Sequence, residues 1–127
     1  MALVVVAEDD GDIREIMVRI LRRAGHTVVA AEDGGAGLTA VRAQLPDLVV
    51  SDIDMPVLSG IEMVRELRDN PATADLPVLF VSGSLAPGDP GPEGLPGTSV
   101  LFKPFLPREF SDAVDQALAT GPSAGRG

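Results

Sequence analysis

Residues 3–10 read LVVVAEDD. Five apolar residues run without alternation into three acids, and a half-exposed strand would alternate, so Leu3–Ala7 reads as a strand buried on both faces. A helix follows. Ile13, Ile16, Met17, Ile20, Leu21 and Ala24 recur at helical intervals along one stripe, with Arg14, Glu15, Arg19, Arg22 and Arg23 on the opposite face. Gly25 reads as the helix stop. A strand tipped with acids and feeding an amphipathic helix is half of a β–α–β unit, and the pattern recurs outward from it. His26–Ala30 is a short strand, and Gly35–Gln44 is a weaker helix ended by Pro46. Leu48–Asp52 (LVVSD) is a second buried strand tipped by acid. Ser59 or Gly60 opens a helix through Ile61, Val64 and Leu67 that closes before Pro71. Pro77–Ser82 (PVLFVS) and Val100–Phe102 are strands, and Pro107–Ala119 is a last helix with Phe110, Val114 and Leu118 on one stripe.

Strands alternating with helices call for an α/β fold, a parallel sheet covered on both faces. Right-handed crossovers place every strand's carboxyl end on one edge, where such folds put their sites. That edge would collect Glu8, Asp9 and Asp10 with Asp52, Ser82 and Lys103, which lie far apart in the chain. One stretch breaks the pattern. Ala86–Gly97 (APGDPGPEGLPG) holds four Pro and four Gly where a helix is due, and a regular helix should not survive there. A second cluster, Gly121–Gly127, reads as a flexible tail or the start of a linker, leaving residues 1–120 as one domain.

Composition narrows the function. The 127 residues suit a single domain. They are 45% hydrophobic with four Phe and no Trp or Tyr, so the core must be aliphatic. Nineteen acidic against ten basic residues give a net charge of -9, which repels phosphate backbones and anionic lipids; no direct nucleic-acid or membrane partner is expected. The absence of cysteine excludes a disulfide framework, a thiolate metal site and a thiol nucleophile. The longest apolar run, Met1–Ala7, is far short of a bilayer span and lacks a basic lead-in, so a cytoplasmic location is expected.

The carboxyl edge carries the chemistry. Clustered carboxylates stay ionised in a crevice only beside a cation. With oxygen donors alone and no His or Cys near, that cation should be hard: Mg²⁺, or Mn²⁺ in its place. Lys103 is the only lysine among the ten basic residues. A lysine is a compact charge suited to one phosphate oxygen, and a serine hydroxyl can donate to a second. Together these groups describe a site that moves a phosphoryl group onto a carboxylate.

Four segments, VVVAEDD (4–10), VVSDIDMPVLSGIEMV (49–64), VLFVSGS (78–84) and LFKPF (101–105), give the chain its resemblance to response regulator receiver domains of two-component signalling, the chemotaxis regulators among them. The resemblance covers almost the whole chain. It implies a flavodoxin-like, doubly wound, five-stranded parallel sheet of order 2-1-3-4-5, with the fourth helix replaced here by the Pro/Gly-rich loop. It further implies that Asp52 is the phosphoacceptor, followed by a turn holding Met55-Pro56 and Ser59-Gly60. Glu8 and Asp9 would hold Mg²⁺ directly or through water, with Asp52 and the backbone carbonyl of Asp54. Ser82 would contact the phosphoryl oxygen, Gly83 would leave the acceptor accessible, and Lys103 would bind phosphate next to a cis bond to Pro104. Asp10 is read mainly as a helix cap. The donor would be a histidine kinase or phosphotransfer protein, and the chain a signalling receiver that catalyses only its own phosphorylation and dephosphorylation.

Two departures bear on readout. Val100 stands where the family usually has an aromatic residue, and Ala86–Gly97 stands where the fourth helix should be. An order–disorder switch over residues 85–99 is the expected substitute. Two rival readings are weaker. Asp52-x-Asp54 resembles the DxD pair of haloacid-dehalogenase-type phosphatases, but that pair follows the first strand rather than the third, and the chain has no room for a substrate cap. A receiver-like interaction module that works without phosphorylation would not need the acids, Asp52, Ser82 and Lys103 together. His26 reads as a strand-edge residue.

Overall fold

The computed structural model describes residues 2–83 and 97–119. Strands β1 (Leu3–Ala7), β2 (Thr27–Ala31), β3 (Leu48–Ser51), β4 (Val78–Ser82) and β5 (Thr98–Phe102) alternate with helices α1 (Gly11–Arg23), α2 (Gly34–Gln44) and α3 (Gly60–Arg68), and α4 (Pro107–Ala119) closes the order. All strand pairs are parallel, and the sheet runs β2-β1-β3-β4-β5. This is the doubly wound order. Among the described residues no helix lies between β4 and β5. The Pro/Gly-rich segment, apart from Gly97, lies outside the described residues, as do most of the expected switch over 85–99 and the tail at 121–127.

The unbroken apolar runs are used on both faces. Along β1, Val4 and Val6 join Met17 and Leu21 of α1 and Phe110, Val114 and Ala117 of α4, while Val5 faces the other layer with Val41 of α2 and Met63, Val64 and Leu67 of α3. Successive side chains of a strand point to opposite faces, so a strand covered on both sides must be apolar throughout. Val100 takes a place in the second layer, opposite Phe80 in the ladder.

Several boundaries differ from expectation. Strand β2 starts at Thr27 rather than His26, because His26 lies in the bend before it and accepts a hydrogen bond at Nδ1 from the Ala2 backbone N–H at 3.0 Å. Strand β5 begins at Thr98, two residues before Val100, since its pairing with β4 runs from Val78 onward. The buried stripe of α1 is narrower than its sequence pattern: Met17 and Leu21 are enclosed, whereas Ile16 is 49% exposed. Arg14, expected on the solvent face, turns back toward β1, where its Nη1 donates to the Glu8 carbonyl at 2.8 Å.

Two glycines let backbone segments meet at the site's edge. A Cβ on Gly34 would lie 1.8 Å from the Leu58 carbonyl oxygen, and one on Gly60 would lie 2.2 Å from the Asp52 carbonyl oxygen. Backbone atoms cannot step aside as a side-chain tip can. Gly34→Ala should therefore destabilise the protein by about 1–3 kcal/mol, although alanine is the better helix former. Gly11→Ala, whose Cβ would make only ordinary contact with Arg14 at 3.6 Å, is the control and should be neutral or stabilising. Urea unfolding of the two variants decides the matter, and equal stabilities would refute the close-approach argument.

Candidate functional site

The sheet order reverses direction between β1 and β3, and ligands of such folds sit in the crevice at that point. Glu8 and Asp52 are the residues just past those two strands. Their placement is a continuation of the ladder: the Asp52 N–H donates to the Ala7 carbonyl at 3.0 Å, and the Glu8 N–H donates to the Ala31 carbonyl at 3.1 Å. Two strands away, the Lys103 N–H donates to the Ser82 carbonyl at 2.8 Å. Four strand ends thus carry Glu8, Asp52, Ser82 and Lys103 to one place.

There the side chains meet. Lys103 Nζ donates to Glu8 Oε1 at 2.9 Å and to Asp52 Oδ2 at 3.2 Å. The other oxygen of Asp52, Oδ1, accepts from the Ile53 N–H at 2.7 Å. Glu8 is fully buried, Asp52 and Ser82 are buried, and Lys103 is 17% exposed in its side chain. One oxygen each from Glu8, Asp9 and Asp52 lies within 4.8 Å of the others, and Asp9 is exposed. Asp54, two residues past Asp52, is exposed. Asp10 caps α1, its side chain accepting from the Asp12 and Ile13 N–H groups at 2.9 and 3.1 Å. The Lys103–Pro104 bond is cis. A Cβ on Gly83 would only touch the Lys103 stem at 3.6 Å, so the structure does not by itself require glycine there.

Three supporting residues were not singled out by the sequence. Ser51 Oγ donates to the Asp52 carbonyl at 2.7 Å, fixing the backbone beneath the carboxylate. Arg14 holds the Glu8 carbonyl; its one signal is a place one turn past the Asp10 cap. Val57 sits at φ +71° with the Leu58 N–H donating to the Pro56 carbonyl at 2.8 Å, and nothing in its residue type announces that conformation.

The Glu8 carboxyl is raised to about 7, chiefly by burial, with Lys103 lowering it and Asp52 raising it. Burial alone would lower the Lys103 ammonium, but its two carboxylate partners outweigh that and raise it. The fold therefore keeps a proton on Glu8 at pH values where the unfolded chain has lost it. The stability this contributes is complete below about 4.5 and is lost as pH rises through about 7. In metal-free buffer the wild type should lose stability with rising pH across that window, at no more than about 1.4 kcal/mol per pH unit. Glu8→Gln should flatten the profile. Parallel profiles in urea titrations at stepped pH would remove Glu8 as the origin.

Comparison with known proteins bears on the family and the fold. The chain is 30% identical over 119 residues to the response regulator receiver protein CpdR of Brucella abortus, covering 93% of this chain and 98% of that protein. It is 38% identical over 113 residues to the uncharacterized transcriptional regulatory protein YrkP of Bacillus subtilis, covering 87% of this chain but 47% of YrkP; it thus spans about half of that longer relative. The solved structure of the chemotaxis response regulator CheY4 of Vibrio cholerae matches with a TM-score of 0.86 at 28% identity, over 92% of this chain and 98% of that one. The response regulator receiver domain model matches residues 4–115. Since that span runs from the second residue of β1 well into α4, the chain belongs to the response regulator receiver domain family.

Proposed function

We propose that the protein is the phosphoacceptor of a two-component phosphorelay, taking a phosphoryl group onto Asp52 from a histidine kinase or phosphotransfer protein. The observation that carries this reading is the single ammonium of Lys103 bonded to both the Glu8 and Asp52 carboxylates across three strand ends. An Asp52 oxygen attacks phosphorus, the P–N bond of the phosphohistidine breaks, and the imidazole leaves with the electron pair and takes up a proton. An acyl phosphate remains. Ile53 N–H and Lys103 orient the carboxylate, and Lys103 then follows the phosphoryl oxygens as a point charge. The Ser82 hydroxyl donates to one of them, and Gly83 leaves the approach open.

The donor set fits a hard divalent cation, because it offers carboxylate oxygens and no nitrogen or sulfur ligand. Glu8, Asp9, Asp52 and the Asp54 carbonyl would hold Mg²⁺. When bound it supplies positive charge against the phosphoryl oxygens. In this reading the protein is a cytoplasmic signalling receiver over residues 1–120, with residues 121–127 a tail or the start of a linker, and it catalyses only its own phosphorylation and dephosphorylation. Val100, which has no ring, excludes an aromatic rotamer switch at its position.

Incubation with acetyl phosphate and Mg²⁺ should add one base-labile phosphoryl group by intact mass. Asp52→Asn, or a chelator, should abolish it. A wild type that stays unlabelled where an ordinary receiver is labelled would overturn the proposal. Lys103→Arg should label at least about tenfold more slowly, because a planar guanidinium does not replace a compact charge reaching one oxygen. Wild-type kinetics in that variant would sink the point-charge argument.

A further inference from the structure

The turn after β3 holds an apolar side chain in solvent under conformational strain. Around Val57 the Leu58 N–H bonds back to the Pro56 carbonyl at 2.8 Å with φ at +71°, a three-residue turn of the rare, strained hand. A β-branched residue is among the worst suited to that region, where glycine or asparagine sits easily. Burial does not compensate, for Val57 is 83% exposed. It leans over the first turn of α2, where a Cβ on Gly35 would come within 3.0 Å of Val57 Cγ1 and 3.3 Å of Asp33 Oδ1. Asp33 thus lies beside it, and Asp54 is exposed three residues earlier. The fold gains neither backbone ease nor a buried contact from valine here.

We propose that Val57 is a specificity-determining contact for the protein phosphodonor. Five residues past Asp52, on the turn that follows the acceptor strand, its isopropyl group is exposed. A small donor would never touch it, but a protein bringing a phosphohistidine to Asp52 would cover it. The fitting partner surface is an apolar patch beside the histidine, flanked by basic side chains facing Asp33 and Asp54. This inference rests on the phosphoacceptor reading.

The test uses Val57→Asn and Val57→Gly, which ease the backbone and remove the apolar group, and Val57→Ile, which keeps both strain and apolarity. Asn and Gly should raise the thermal midpoint by roughly 4 °C or more. They should label from acetyl phosphate within about twofold of wild type. Transfer from a panel of purified, phosphorylated histidine phosphotransfer domains should fall about tenfold for the domain that serves wild type fastest, with Ile near wild type. An unchanged midpoint refutes the strain argument. Unchanged transfer, a parallel loss with acetyl phosphate, or a wild type labelled by acetyl phosphate but by no domain of the panel each overturns the contact. A wild type labelled by neither donor overturns the phosphoacceptor reading itself.

Discussion

One ammonium group bridges two carboxyl groups in a place where burial and the neighbouring Asp52 already raise the affinity of Glu8 for a proton. Lys103 satisfies Glu8 and Asp52 at once, and none of the three has an equivalent partner elsewhere in the described site. A buried charge without a partner is costly, so every feature that sets these three side chains in reach matters. The parallel register, the two hydrogen bonds that extend the ladder past β1 and β3, and the bond from Lys103 N–H to Ser82 all serve that juxtaposition. The glycines at 34 and 60 serve it less directly, by letting the turn after Asp52 settle against α2 and the Asp52 backbone.

Much of this was readable in the chain. Continuous valine-rich runs require cover on both faces, which points to a parallel sheet, and a parallel sheet sends LVVVA-Glu8 and LVVS-Asp52 to the same edge. The single lysine before Pro104 could then be placed with them before any coordinates. Expectation and structure agree on the sheet order, on Asp10 as a cap and on the convergence of Glu8, Asp9, Asp52, Ser82 and Lys103.

What escaped the sequence has a physical reason in each case. Arg14 looked like one more exposed arginine because helical periodicity reports the face of a residue, not the reach of a long side chain. Ile16 looked like core because a stripe drawn from apolar residues alone is wider than the groove that receives it. Strand ends shifted by one or two residues because hydrogen-bond pairing with a neighbour, rather than local propensity, sets them. Val57 was invisible because its conformation contradicts its residue type, the circumstance in which local rules fail and function is the first explanation to test.

The ladder bonds that extend past the strand ends have a dynamic consequence. The Glu8 and Asp52 amides are tied into the central strands, so their exchange with solvent hydrogen should proceed only through openings as large as the sheet itself. The chemical centre would then open only when the whole domain opens. The turn at Val57 lies outside the ladder, so its opening would not have to wait for the sheet to open. Acceptance of the phosphoryl group and recognition of whatever delivers it would be carried by parts of one molecule that differ in how tightly they are bound to the fold.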